Sequence, residues 1–215
     1  MTSNPLAQTQ SDPDTSYTAG PMPSPPSSAR DSRERILETA YDLFIRYGIH
    51  AVGIDRIVAD AGVAKATLYR HFHSKEELVL AVLERREELW SRGWLQRECE
   101  RRGSTPTTKL LAVFEALDDW FRRKDFEGCF FMTTLLETHD RTSLVGAASV
   151  RAMSDIRTFV QGLAEEAGVR DSDALARQWQ MLMMGSIVAA ANGDVDTALR
   201  ARSVASVLLD QARRR

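Results

Sequence analysis

The sequence predicts an all-α protein. From Asp31 almost to Arg215, apolar residues recur every three or four positions, which is the period of an amphipathic helix. No stretch alternates between apolar and polar residues as a half-buried strand would, and no segment repeats at a fixed interval. A chain of 215 residues with 43% hydrophobic content can bury a sizeable core. We therefore expect one large or two modest helical domains.

Residues 1–30 differ in composition from the rest of the chain. They are dense in Pro, Ser, Thr and Gly and contain few large apolar side chains. Such a segment buries too little apolar surface to offset the entropy of ordering it. We expect residues 1–30 to form a disordered tail, and they lack the apolar stretch of a signal peptide.

Cysteine usage and hydropathy predict the compartment. Cys99 and Cys129 are too few and too far apart for a disulfide framework, which favours a reducing environment. The richest apolar run, residues 181–191, is shorter than the roughly 20 residues that a membrane span needs. A cytoplasmic protein without a membrane partner is expected.

Two helices are predicted at the start of the periodic region. The first opens at Asp31, where Glu34 three residues later completes a capping box, and it ends at Gly48. The second covers residues 53–61, with apolar side chains on one face, and ends at Gly62.

A third, short helix follows directly after a turn at residues 62–64. Its residues 65–72 make about two helical turns, so the two helices have a helix-turn-helix layout. Leu68 and Phe72 lie four apart and can bury against Ile57 and Val63. The residues left off this core face are Lys65, Thr67, Tyr69, Arg70 and His71.

The charge pattern of this segment predicts contact with an anion. No acidic residue occurs between Asp60 and Glu76, although the whole chain carries a formal charge of −2. Ser74 begins a capping box for a fourth helix. Lys75 lies in the first turn of that helix, where its positive charge is unfavourable because the N-terminal end of the helix dipole is also positive. An external phosphate at this end would remove the repulsion. The segment is therefore a candidate nucleic-acid-binding element.

Residues 55–78 resemble the DNA-binding signature of the TetR family of transcriptional regulators, and the match extends over about residues 32–80. The resemblance implies a three-helix helix-turn-helix DNA-binding domain, residues 31–78, and a helical-bundle ligand-binding and dimerisation domain, residues 79–215. It further implies a homodimer that binds a double-stranded DNA operator, usually as a repressor released by a small-molecule effector. The effector is unknown, and no cofactor is implied. The positions that carry the match are Phe44, Gly48, Ile57, Ala61, Gly62, Val63, Leu68, Tyr69, Phe72, Ser74 and Lys75.

The family's DNA contacts transfer to this sequence with two departures. Ala64 stands where the family often has a Ser that caps the recognition helix, so a cap of roughly 1 kcal/mol is missing. Gly53 replaces a common Thr. The implied recognition-helix contacts are Lys65, Thr67, Tyr69 and His71; the implied backbone contacts are Gly53, Arg56 and Lys75. Packing is an open alternative for Tyr69 and His71, as is a solvated face for Lys65, Arg70 and Lys75.

The remaining chain predicts a helical bundle. The fourth helix runs to about Cys99, and residues 103–106 break it. Further helices are expected at about 107–124, 127–140, 142–167, 172–192 and 196–213. The resemblance implies that the last two form a four-helix dimer interface, and small residues on both would permit close packing.

The bundle carries more aromatic and Met bulk than a compact core requires. Some of these side chains are hypothesised to line a mostly apolar effector pocket, and a plain helical core is the open alternative. The candidate ligand-binding residues are Phe114, Leu117, Trp120, Phe121, Phe131, Met132, Trp179 and Met183.

The alternative function is a helical small-molecule-binding protein or enzyme whose helix-turn-helix is vestigial. The sequence contains no Gly-rich phosphate loop, no HExxH and no nucleophile elbow. Glu137, His139 and Asp140 could be imagined as a metal or acid/base cluster, but residues two and three apart need not converge on one face. We therefore expect neither catalysis nor a bound metal.

Overall fold

A computed structural model describes residues 32–214, and within that range the chain is helical with no β-strand, which confirms the predicted fold class. The predicted tail and the Asp31 cap lie outside the described residues. The α-helices are α1 (Ser32–Tyr47), α2 (Ile54–Ala61), α3 (Lys65–His71), α4 (Lys75–Arg86), α5 (Gln96–Arg102), α6 (Pro106–Phe121), α7 (Phe130–Thr138), α8 (Leu144–Glu166), α9 (Ser172–Ala191) and α10 (Thr197–Arg214).

The first three helices share one small core. Helix α1 packs against α2, α3 and α4, and Phe44, Leu68 and Phe72 are almost completely buried. Gly48 and Gly62 adopt φ angles of +80° and +63°, so each takes the left-handed conformation predicted for a helix end. This core holds α2 and α3 in a fixed arrangement.

A long bridging helix leads from the first three helices into the rest of the molecule. It consists of α4, a π-helical segment at Glu87–Leu95 and α5. The sequence predicted a continuous helix to about Cys99 but not the π-helical register. Gly93 permits this register, since a Cβ there would lie 2.5 Å from the Glu88 carbonyl oxygen.

The remaining helices form a bundle around α6 and α8. Helix α8 packs against α4, α6, α7 and α9, while α10 packs against α6 and α9. The Phe114 and Trp179 rings pack in a tilted arrangement with centroids 5.4 Å apart, and Trp179 Nε1 donates to the Leu110 carbonyl. The helices predicted from periodicity all occur, with ends a few residues from their predicted positions.

Glu34 has a partner on another helix, and Glu77 departs from its predicted capping box. The Glu34 carboxylate accepts hydrogen bonds from Arg85 on α4, which lies 51 residues away. Ser74 caps α4 by accepting from the Glu77 amide at 3.1 Å, as predicted. The Glu77 carboxylate, however, accepts from the amide and ring Nδ1 of His73, one residue before the cap. The Glu77 carboxylate therefore binds the amide of the residue before the cap rather than that of the cap itself.

Within residues 32–214 no helix combines the length and the apolar character that crossing a membrane requires.

Candidate nucleic-acid interface

Helices α2 and α3 and the turn between them form the predicted helix-turn-helix. Gly53 precedes α2 in an extended conformation, and Ala64 precedes α3 in the same way. Neither residue supplies a side-chain cap, as their sequence departures predicted. The amides of Thr67 and Leu68, the third and fourth residues of α3, both donate to the Ala64 carbonyl. The motif therefore forms without the usual capping hydroxyl.

One face of α3 is buried and the opposite face is exposed. Leu68 packs into the core, while Tyr69 is 42% exposed and Lys65 and Arg70 are also exposed. Thr67 is half-buried at the edge of this face. Arg70 forms no ion pair with any of residues 32–214. The exposed face of α3 thus offers a guanidinium, an ammonium, a hydroxyl and a phenol to an approaching molecule.

Lys65 has a partner that its neighbours in sequence did not predict. Its ammonium lies 2.7 Å from Asp55 Oδ1 on α2, and this hydrogen bond raises the pKa of Lys65. Both side chains are largely exposed, so the pair contributes little to stability. A phosphate or a base that approaches Lys65 therefore competes with Asp55.

His71 is half-buried and contacts α1. Its Nε2 lies 2.7 Å from Ser32 Oγ at the start of that helix. The structure therefore places His71 apart from the exposed set on α3.

Lys75 also has an internal partner. Its ammonium donates to the Ile49 carbonyl in the loop between α1 and α2, and it lies 6.0 Å from the Phe44 ring centroid. Burial lowers the pKa of Lys75, and Glu137 partly opposes this effect. The Ile49 carbonyl relieves part of the conflict with the α4 dipole that an external phosphate was expected to relieve.

The guanidinium of Arg56 on α2 lies over an aromatic ring. It lies 4.1 Å from the centroid of Tyr47, which is 43% exposed at the end of α1. Hydrogen bonds from Arg46 and Arg56 lower the pKa of the Tyr47 hydroxyl. Tyr47 is therefore a further candidate at this surface, and its position at the last turn of α1 was the available signal.

A buried ion pair connects the first helices to the bundle. Arg86 of α4 is 3% exposed and donates to Tyr41 of α1 and, at 2.6 Å, to Glu127 in the loop before α7. The guanidinium also lies within 6 Å of the Trp90 and Trp120 rings. We call Tyr41, Arg86 and Glu127 the junction cluster. It joins three separate elements around one charge.

A second connection joins α7 to the loop between α1 and α2. The His50 amide donates to Glu137 Oε2 at 3.1 Å, and His50 Nε2 donates to the Glu137 carbonyl at 2.8 Å. A Cβ on Gly48 would lie 2.6 Å from Glu137 Oε1, so the close approach depends on glycine. Glu137 is thus hydrogen-bonded to the loop between α1 and α2. Within residues 32–214, no three His, Cys, Asp or Glu side chains are grouped so that they could hold a metal ion.

The candidate ligand-binding residues lie in the packed interior of the bundle. Seven of the eight are buried, and Met132 is half-buried. Cavities of about 480, 410 and 210 Å³ occur elsewhere and are lined by other residues. The positions of Phe114, Leu117, Trp120, Phe121, Phe131, Met132, Trp179 and Met183 match the open alternative of a helical core, and their ligand role stays a prediction.

Comparison with known proteins agrees with this geometry. Residues 36–82 match the family model described as bacterial regulatory proteins, tetR family. The HTH-type transcriptional activator FasR of Mycolicibacterium smegmatis is 40% identical over 100 residues, which are 46% of this chain and 44% of FasR. An HTH-type transcriptional regulator of Staphylococcus aureus is 39% identical over 57 residues, 26% of this chain and 31% of its own length. The matched segments thus span less than half of these curated relatives.

Solved structures extend the similarity over most of both chains. A TetR-family transcriptional regulator of Streptomyces coelicolor superposes with a TM-score of 0.78 at 30% identity, covering 85% of this chain and 96% of its own. A Streptomyces avermitilis protein assigned to the same regulators superposes with a TM-score of 0.77 at 31% identity, covering 85% and 98%. With the exposed helix-turn-helix and the helical bundle behind it, these similarities show that the chain belongs to the TetR family of transcriptional regulators.

Proposed function

We propose that this regulator binds an operator in double-stranded DNA as a homodimer, and that a small-molecule effector releases it. Residues 31–78 are the DNA-binding domain, and residues 79–215 bind the effector and form the dimer. The observation that carries the proposal is the exposed face of α3, because it presents cationic and hydrogen-bonding side chains on a helix fixed by its buried face.

The proposed DNA contacts divide into two groups. Lys65, Thr67, Tyr69 and Arg70 belong to the exposed or edge positions of α3 and would contact base edges and nearby phosphates. Gly53, Arg56, His71 and Lys75 lie around α3 and would position it on the phosphate backbone. Lys75 retains donors beyond the one used by Ile49, because an ammonium has three.

The proposed dimer uses α9 and α10. Exposed apolar side chains occur along both helices, including Met181, Val188, Val204 and Val207. A two-fold axis beside this face would bury them against the same residues of a second copy. The two α3 helices would then enter successive major-groove segments about 34–36 Å apart.

The direction of regulation has two candidates. Release of a repressor is the mode that the family resemblance implies, and the name of FasR supports activation instead. A reporter gene behind the regulator's own upstream DNA distinguishes them. Deletion of the regulator raises reporter expression in the case of a repressor and lowers it in the case of an activator.

DNA binding is tested with purified protein and DNA from beside its gene, by mobility shift over a salt series. Arg70→Ala should weaken binding and reduce the slope of log K against log salt by about one, because one phosphate contact releases about one counterion. Arg97→Ala, which removes an exposed arginine on α5, is the matched control and should leave the slope unchanged. Equal slopes for the wild type and Arg70→Ala would contradict the assigned contact. No shift with any fragment would favour a vestigial motif.

A further inference from the structure

Two adjacent cavities lie along the bridging helix, between it and α8. The cavity of about 480 Å³ is bounded by α1, α4 and α8, and the cavity of about 410 Å³ by the π-helical segment and α8. Glu87, Arg92 and Asp155 line both cavities, so the two spaces meet at these side chains. We call this space the α4–α8 groove.

The middle of the groove carries two neighbouring carboxyl groups. Burial raises the pKa of Glu87, and Asp155 adds to the rise while Arg92 opposes it. A guanidinium nitrogen of Arg92 lies 2.8 Å from Glu87 Oε1, so Arg92 forms an ion pair with one of the two carboxylates. Asp155 forms no ion pair with a basic residue among residues 32–214. Four carboxylates and three guanidiniums line the cavity of about 480 Å³, which leaves one formal negative charge for a cation beside Glu87 and Asp155; they are Glu77, Glu84, Glu87 and Asp155 with Arg33, Arg92 and Arg151.

A buried hydroxyl supplies an independent sign of a missing partner. Ser91 lines the second cavity, is 4% exposed, and its Oγ has no hydrogen-bond partner. An unsatisfied buried polar group costs about 1–3 kcal/mol. A polar group that reached this Oγ from the cavity would remove this cost.

The second cavity also offers apolar contacts. Leu95 and Ile156 are buried in its wall, and Phe159 is half-buried beside them. These side chains lie beyond the carboxylates along the π-helical segment and α8. The groove therefore combines a cation-binding centre with an apolar end.

From this combination we infer that the α4–α8 groove binds a primary ammonium ion that carries an apolar chain. The ammonium head lies between Glu87 and Asp155, and the chain lies against Leu95, Ile156 and Phe159. Helices α1 and α4 form one side of the groove and α8 forms the other. A bound amine therefore changes the position of α4 relative to α8. This regulatory consequence rests on the proposed function, whereas the binding itself does not.

Binding is measured by isothermal titration calorimetry on the full chain without DNA, with decylammonium as the probe below its micelle concentration. Decanoate and decanol are the matched probes, because they keep the chain and replace only the head group. Decylammonium should bind at least about tenfold more tightly than either, since it alone offers a charge-assisted hydrogen bond to a carboxylate. Equal affinity for the three probes, or no binding of decylammonium, would overturn the inference.

The carboxylates are tested with Asp155→Asn, which removes a charge from an exposed side chain without breaking an ion pair. It should weaken decylammonium binding by about tenfold and leave decanol binding unchanged. Glu88→Gln is the control, because Glu88 is exposed on the same segment and lines neither cavity. Equal effects of Asp155→Asn and Glu88→Gln would show a general charge effect and refute the assigned head-group site. Thermal melts of both variants confirm that they fold.

A mobility-shift assay with and without decylammonium tests separately whether the groove binds the amine and whether binding changes DNA affinity. If decylammonium lowers the DNA affinity of the wild type but not that of Asp155→Asn, both the site and the regulatory consequence are supported. Calorimetric binding with unchanged DNA affinity supports the site and refutes the regulatory consequence. Calorimetric binding to a protein that shifts no DNA refutes the proposed function and leaves the site supported.

Discussion

The junction cluster contains a buried charge on Arg86. The Arg86 guanidinium is removed from water, so its charge must be compensated by Glu127, Tyr41 and the surrounding rings. Burial raises the pKa of Glu127, and Arg86 opposes this effect. Removal of one partner leaves the other charge buried and unpaired.

Glu127→Ala should therefore lower the free energy of unfolding by about 3–5 kcal/mol, measured by urea denaturation. The control is Asp173→Ala, which breaks the exposed ion pair between Arg177 and Asp173 and should cost at most about 1 kcal/mol. If Glu127→Ala also costs less than about 1 kcal/mol, other groups must compensate the Arg86 charge. The junction cluster would then not stabilise the fold.

Predictions at the residue level succeeded where the cause was local. Gly48 and Gly62 end their helices because the required positive φ depends on the adjacent backbone alone. Leu68 is buried because helical spacing sets its face. The partners of Lys65 and Lys75 lie 10 and 26 residues away and depend on how α1, α2 and α4 pack. No local pattern contains that information.

Among the elements, the bridging helix departs most from expectation. Its apolar positions continue through the π-helical segment, so periodicity predicted a helix there and gave no sign of the wider register. The wider turn brings Trp90 within 5.4 Å of Trp94 and 5.0 Å of Trp120, measured between ring centroids. It also places Ser91 and Arg92 on the groove. π-Helical turns are common at functional sites.

Gly93→Ala tests whether the register depends on glycine. The added methyl would lie 2.5 Å from the Glu88 carbonyl oxygen, so the segment must shift. We expect a loss of about 1–3 kcal/mol in the free energy of unfolding, measured by urea denaturation. Trp90 and Trp94 flank the site, so the tryptophan fluorescence spectrum should change as well.

The control for this substitution is Gly162→Ala in α8. A Cβ at Gly162 meets nothing within 4 Å, so alanine should stabilise the helix by up to about 1 kcal/mol. The two glycine substitutions should therefore have opposite signs. The same sign for both would show that the approach to Glu88 does not constrain the chain.

For the whole molecule, the distribution of exposed apolar surface favours one face for self-association. Val204 and Val207 of α10 are 50% and 56% exposed, and Met181 and Val188 of α9 are also exposed. Gly185 lies between the latter two, and its missing side chain permits a close approach of a second helix. Isolated exposed apolar residues are common, and several on two packed helices support the proposed dimer surface.

The double substitution Val204→Asp and Val207→Asp should produce a folded monomer, because both side chains are exposed within one chain and like charges would face each other across the two-fold axis. Light scattering after size exclusion should give a mass near 24.1 kDa, against about twice that for the wild type. Leu144→Asp, which charges an even more exposed apolar residue at the start of α8, should remain dimeric. The affinity for a two-site operator should fall by at least about 100-fold, since the second α3 helix no longer binds intramolecularly. A double variant with the wild-type mass would place the dimer interface elsewhere.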